Sequence, residues 1–297
     1  MKRAFRFGVV TAQASSGTEW VDRAKRIESL GFHTLVIPDG LRYTYSPFVA
    51  LAAAATATTA LRIGTYVIAN DYRHPVMLAK EAATLDVLSG GRLELGIGAG
   101  RPSAEADNAM LGLGFDSGGT RLDRLSAALS IIKPLLAGET VTRSDSFYRC
   151  DEAAVSPLPL QQPLPLMIAG GQQRMLRLAA READIIALGV GPDATEAVVT
   201  ERIRWIRDAA GERFPDIELN LNLMAVAGKL PRYLQMTLGE NAARLAGSDA
   251  VPILKGSLDQ MSERLESLRE QLGISYIMVG DELIDEFAPV VARLSGR

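Results

Sequence analysis

Residues 61–100 read LRIGTYVIANDYRHPVMLAKEAATLDVLSGGRLELGIGAG, and the order of patterns within them decides the fold. The apolar run over 61–69 predicts a strand. A helical pattern opens at Pro75 and runs to 88, where Ser89-Gly90-Gly91 punctuates its end. The next run, 92–98, predicts a strand whose inner Leu93, Leu95 and Ile97 alternate with Glu94 and Gly96. Strand, helix and strand in this order form the βαβ unit of a parallel sheet.

Working outward, the same alternation recurs. Toward the N-terminus lie a strand over 5–11 and a helix from Thr18 whose Trp20, Ala24, Ile27 and Gly31 share a face. A strand over 34–38 and a helix over 46–60 follow, the latter with Ser46 and Pro47 in the N-cap and N1 positions. Toward the C-terminus a Gly-rich loop, 100–119, is too long for a connector and is a candidate lid before the helix 121–136. Strands over 166–169, 185–188, 217–227 and 274–279 then alternate with helices over 172–181, 194–210, 258–272 and 282–294. Two stretches depart from the rhythm, a hairpin-like, proline-rich excursion at 138–165 and a second at 230–255. Eight strands alternating with helices predict an α/β fold, a (β/α)8 TIM barrel with excursions after strands four and seven, forming one domain over 1–297. An open dinucleotide-binding sheet is disfavoured because no GxGxxG follows the first strand, and Gly96-Ile97-Gly98-Ala99-Gly100 has the wrong place and spacing.

Composition narrows the function. The 32 basic residues nearly balance the 35 acidic ones without a long run of like charge, which argues against nucleic acid or an anionic membrane as partner. With 47% hydrophobic residues there is material for a large core, yet the longest apolar-rich stretch, 48–61, is too short and too polar to span a bilayer. The single cysteine, Cys150, makes no internal disulfide, and the start Met1-Lys2-Arg3 leads into a strand rather than an apolar signal core. A cytoplasmic protein acting on a small molecule is the expectation. Two histidines 41 positions apart, with one cysteine, supply no metal-ligand cluster, so no metal is expected. There is no GxSxG nucleophile elbow.

A barrel places its chemistry at the carboxyl ends of its strands. There stand Asp39, the stretch 66–70, Gly98 to Arg101, Ala169-Gly170-Gly171-Gln172, and Leu188-Gly189. Gly170 and Gly171 precede a helix N-terminus, where free N–H groups favour a phosphate, although a tight turn that binds nothing uses the same residues. Asp39 reads either as a rim carboxylate or as a cap for the following turn, and His74 and His33 read as structural. With side-chain catalysts scarce, the hard step falls to an organic cofactor.

The stretches 61–65, 73–75 and 82–100, with Ala69-Asn70-Asp71, Arg121-Leu122-Asp123-Arg124-Leu125, residues 179–184 and residues 287–291, resemble the luciferase-like monooxygenase superfamily, and within it the coenzyme F420-dependent oxidoreductases. The resemblance implies a barrel holding F420, or alternatively FMN, and a non-prolyl cis peptide at Tyr66-Val67. It further implies Asp39 at the ring's polar edge with Tyr66, Val67, Gly98 and Ala99 around the ring. Ala169, Gly170, Gly171, Gln172, Leu188 and Gly189 would hold the tail phosphate. Sugar-phosphate dehydrogenases of the superfamily carry an Asp-His pair and a glutamate after Gly-x-Gly, where this chain has Asp39-Gly40 and Arg101. That activity is therefore not expected, and the candidates for catalysis are Asp39, Tyr66 and Arg101, with Arg101 holding an anionic substrate, the cofactor's acidic tail, or only solvent. An FMN-dependent monooxygenase and a catalytically silent, cofactor-binding relative are the competing readings. Relatives in the superfamily are often dimers; the alanine-rich helix 48–60 fits either a homodimer face or burial within the monomer.

Overall fold

Apolar strands too short to stand alone pair side by side, and their helices cover them. In the computed structural model, which describes residues 3–297, β1 (Arg6–Val10) leads to α1 (Gly17–Ser29), β2 (Thr34–Ile37) and α2 (Pro47–Ala57). The third barrel strand comes in two pieces, β3 (Arg62–Thr65) and β4 (Ile68–Ala69), before α3 (Pro75–Leu88) and β5 (Leu93–Gly98). Next come α4 (Glu105–Met110), α5 (Gly118–Leu136), the hairpin strands β6 (Val141–Ser144) and β7 (Arg149–Ala153), and β8 (Leu166–Gly170). They are followed by α6 (Gln173–Glu182), β9 (Ile185–Leu188), α7 (Glu196–Ala210) and β10 (Glu218–Leu223). An outlying group, β11 (Ala225–Val226), α8 (Arg232–Leu238), α9 (Asn241–Ala246) and β12 (Ile253–Leu254), precedes α10 (Leu258–Leu272), β13 (Ile274–Gly280) and α11 (Ile284–Leu294). The main sheet runs β3-β2-β1-β13-β10-β9-β8-β5-β4, and a β3–β5 pairing closes it into an eight-stranded parallel (β/α)8 barrel.

Five expectations need correction. The strand expected over 61–69 breaks at residues 66–67, and that expected over 217–227 breaks at Met224, where β11 leaves to pair with β12. The 100–119 loop contains a 3-10 turn, Pro102–Ala104, and α4, so it is not a bare loop. Ser46 is the N-cap residue of α2, but its side chain makes no capping hydrogen bond. Finally, β5 is buried at all six positions, including Glu94 and Gly96, because a parallel strand is covered on both faces.

The chain divides into two compact units. One comprises 12–22 and 36–168. In it Glu94, almost fully buried, is paired with Arg62 at 2.6 Å, and Arg62 also donates to Gln161. Asp86 accepts from Leu93 N and from Gln161, tying α3 to the start of β5. Trp20 donates its indole N–H to Ala50 O at 2.8 Å.

The other unit comprises the residues up to 11, 23–35 and 169–297. Phe5, just before β1, and Phe7 and Val9 of β1 are fully buried, and Phe7 meets Phe287 of α11 edge to face at 5.5 Å. Between these strands Arg6 pairs with Glu218 at 2.7 Å and lies over the Tyr276 ring. His33 accepts from Phe7 N, as a structural histidine should. Leu230, Leu234, Ala246 and Ile253 form a small separate core under α8 and α9.

Candidate active site

In the unit containing β2 to β5, the carboxyl ends of the strands are built around Asp39. Its side chain is 4% exposed; one oxygen accepts from Ala69 N at 3.1 Å and from Arg73 Nη1 at 2.6 Å. Asp39 is thus not the cap of its own following turn. It anchors the far end of the third strand instead, where Ala69 is the N-cap of the 3-10 turn Asn70–Tyr72. Arg73 also faces Glu81 at 3.5 Å. Burial pushes the Glu81 carboxyl up, against the opposing pull of Arg73.

The break in the third strand carries the cis peptide Tyr66-Val67 that the resemblance implies. Glycine makes room for it in β5. A Cβ at Gly96 would stand 2.0 Å from Thr65 O, and one at Gly98 would stand 2.8 Å from Val67 Cγ2. Thr65 Oγ1 accepts from Gly96 N at 2.8 Å and donates to Gly96 O at 2.7 Å, which locks the two strands together at this level. Tyr66 is only partly buried as a residue, but its phenol is desolvated and its pKa is raised strongly, so it remains neutral at ordinary pH.

Two further aspartates and two arginines brace this rim, and sequence reasoning assigned none of them a role. Asp71 pairs with Arg124 of α5 at 2.8 Å, and Arg124 also reaches Asp116. Arg121, one turn earlier, donates to Ala99 O at 3.0 Å and lies over the Phe115 ring. Tyr148, in the β6–β7 hairpin, accepts from Asn70 Nδ2 at 3.0 Å and meets the His74 ring edge-on. The Arg121–Arg124 spacing marks one helix face and was readable; nothing near Tyr148 in the sequence points to Asn70. His74 itself caps α3, accepting from Val76 N, as a structural reading requires.

Tyr72 has its pKa raised, first by burial and then by Asp107, Asp39 and Asp71, with Arg101 pulling the other way. Arg101, the N-cap of the turn Pro102–Ala104, is exposed and without an ion pair among the described residues. Tyr43 is exposed as well.

In the other unit the candidate residues gather at the ends of β8 and β9. Gly189 N donates to Gly170 O at 2.8 Å, and Arg202 of α7 donates to Gly189 O. A Cβ at Gly171 would stand 2.1 Å from Gly189 O, so the two loops touch backbone to backbone. Gln172 is the N-cap of α6 and makes no side-chain capping bond, which leaves the helix N-terminus open to an anion. Ala169 is half-buried and Leu188 buried beside these glycines.

A barrel of this topology, with a glycine-floored break in the third strand, defines a class of oxidoreductase folds. The family model for luciferase-like monooxygenases matches residues 4–232, and the chain belongs to that family. It is 29% identical over 221 residues to an uncharacterized protein of Mycobacterium tuberculosis, a match covering 67% of this chain and 74% of that one. It is 35% identical over 165 residues to an F420-dependent glucose-6-phosphate dehydrogenase of Beutenbergia cavernae, covering 53% of this chain and about half, 48%, of that one. Among solved structures, an F420-dependent secondary alcohol dehydrogenase in complex with an F420-acetone adduct superposes with a TM-score of 0.80 at 18% identity, covering 99% of both chains. At that identity the likeness speaks to the fold.

Proposed function

We propose that this chain is, as a single catalytic domain, an F420-dependent oxidoreductase that moves a hydride between the deazaflavin and a small organic substrate. The observation that carries the reading is the rim around Asp39, held by Ala69 N and Arg73 over the glycine floor of Gly96 and Gly98. F420-dependent dehydrogenases among the relatives support it. When bound, F420 supplies two-electron hydride transfer at its C5.

The chain's own residues do the rest. Asp39, fixed by Arg73, presents the polar edge of the ring with a rigid carboxylate, and Tyr66 and Val67 back the ring while Gly98 and Ala99 border it. Arg121 holds the Ala99 carbonyl and so fixes that border. Ala169, Gly170, Gly171, Gln172, Leu188 and Gly189 receive the tail phosphate, with the uncapped amides of α6 as donors. No histidine or glutamate stands where sugar-phosphate dehydrogenases keep theirs, so a protonated tyrosine is the available donor. Tyr66 and Tyr72 both have raised pKa values and keep their protons at neutral pH.

Fluorescence titration of the purified protein with F420 and with FMN tests the reading. Saturable F420 binding without FMN binding is expected. Tight FMN binding without F420 binding favours a flavin monooxygenase instead, and binding of neither refutes both enzyme readings.

A further inference from the structure

Two segments at the strand ends are tied together by one carboxylate. Asp107 of α4 accepts from Leu41 N at 3.2 Å and faces the Arg42 guanidinium at 3.7 Å, while Arg42 Nε reaches Met110 Sδ at 3.4 Å. The first segment follows β2 and the second follows β5, so both lie on the face where barrels carry their chemistry. Together they expose Leu41 (42%), Tyr43 (74%), Met110 (58%), Leu111 (43%) and Leu113 (41%). Single exposed apolar side chains are ordinary, but five on two tethered segments at a barrel mouth form a patch that calls for an occupant.

The charges around the patch say what kind. Each rim aspartate has an arginine beside it: Asp39 has Arg73, Asp71 has Arg124 and Asp107 has Arg42. Arg101 has no such partner among the described residues, and it stands close enough to Tyr72 for its charge to oppose those three aspartates there. A wholly apolar occupant leaves this cation unused. A small polar anion leaves the five apolar side chains in water.

We infer that this rim receives an amphipathic organic acid, its apolar body against Leu41, Tyr43, Met110, Leu111 and Leu113 and its carboxylate on Arg101. The inference deepens the proposed function by naming the substrate class of that site, and it rests on reading this mouth as the substrate face. Guanidinium suits a carboxylate because its planar fork matches the two oxygens.

The test is calorimetric titration of the full chain, without added cofactor, with octanoate, octan-1-ol, butyrate and inorganic phosphate. Octanoate is expected to bind about tenfold more tightly than octan-1-ol through the charge-assisted contact. It is expected to bind at least tenfold more tightly than butyrate, since its four extra methylenes would give over about a hundredfold if fully buried, at about 0.8 kcal/mol each, and an open rim buries them only in part. Arg101→Gln, a change at an exposed position, should bring octanoate down to the level of octan-1-ol. The pair Met110→Ser and Leu113→Ser should flatten the dependence on chain length while keeping the preference for the acid. Equal affinity for octanoate and octan-1-ol, no chain-length dependence, or phosphate binding as tightly as octanoate each overturns the inference. So does a dimer that the Met110→Ser, Leu113→Ser protein loses in light scattering, since the patch is then a self-interface. Because no cofactor is present in the titrations, failure of F420 to bind bears on the proposed function alone, and failure of octanoate bears on this inference alone.

Discussion

Gly96→Ala is the sharpest perturbation of the glycine floor under the break in the third strand. The added methyl would stand 2.0 Å from Thr65 O, 2.9 Å from Val67 Cγ1 and 3.0 Å from Thr65 C. Two of those neighbours are backbone atoms of the adjacent strand and cannot rotate away. Restoring even a 3.0 Å separation from Thr65 O moves β5 and β3 apart by an ångström. That movement strains both buried Thr65 hydrogen bonds, at 2.7 and 2.8 Å. Two buried hydrogen bonds contribute about 0.5–1.5 kcal/mol each, and overpacking adds about 1–3, so the substitution should cost roughly 3–5 kcal/mol. Urea unfolding measures it directly, and Gly17→Ala is the control, because a Cβ at Gly17, the first residue of α1, meets nothing within 4 Å. The control should be neutral or slightly stabilising, since alanine is favoured over glycine in helices by up to about 1 kcal/mol. A Gly96→Ala protein within about 0.5 kcal/mol of the parent would refute the steric reasoning, because surface-like changes stay within that margin.

Arg73→Met leaves the Asp39 carboxylate with only Ala69 N, and because Arg73 itself is partly exposed the loss should be about 2–3 kcal/mol, below the full cost of breaking a buried pair. A double-mutant cycle with Asp39→Asn, read by urea unfolding, should return most of that as coupling; additive losses would mean that the pair does not interact. Tyr148→Phe removes the acceptor for the buried Asn70 amide and should cost about 1–2 kcal/mol in thermal unfolding, and a loss no larger than that of Tyr43→Phe would remove the hairpin's bracing role. Asp145 has its pKa lowered to about 2 by the Tyr148 N–H, the Arg143 guanidinium and the Phe147 N–H. A depressed carboxyl pKa stabilises the hairpin above the unfolded-state value and loses that contribution as pH falls through about 4 to 2, so NMR titration of Asp145 should show a midpoint near 2. A midpoint near 4 would mean that the turn does not hold its carboxylate.

The parallel barrel was legible because its signals are local and repeat. Pro75 and the Ser89-Gly90-Gly91 turn bound α3 at the two residues expected, Pro75 and Leu88. What escaped was whatever depends on a partner far along the chain. Tyr66 and Val67 are good strand residues, and only the family resemblance, nothing local, marked the cis peptide there; the break is accommodated by a glycine thirty positions later, at Gly96. The helix Glu105–Met110 is only six residues long and lacks a side-chain cap, so the loop around it carried no helical signal. Asn70 and Tyr148 lie 78 positions apart and meet only because the hairpin folds back on the rim. The candidate residues were therefore legible as positions at strand ends, while the partners of Asp39 and Asn70, apart from the Arg121–Arg124 helix face, were not.

Gly40 stands where the family resemblance implies a histidine in sugar-phosphate dehydrogenases. Gly40 is more than a lost side chain. A Cβ there would stand 3.3 Å from Asp107 Oδ2 and 3.9 Å from Thr44 Cγ2, so the Asp107 carboxylate of α4 occupies the space that a larger side chain needs. That carboxylate is committed to Leu41 N and Arg42, and displacing it would loosen the two apolar segments it joins. Restoring a histidine by Gly40→His therefore sets an imidazole against Asp107 instead of against a substrate. It should raise no sugar-phosphate dehydrogenase activity, and it should weaken octanoate binding by disturbing the tether. Recovery of that activity from Gly40→His alone would mean that the rim is a sugar-phosphate site with one residue missing. The tether predicts the opposite, because Gly40, Asp107, Leu41 and Arg42 meet in one packed arrangement.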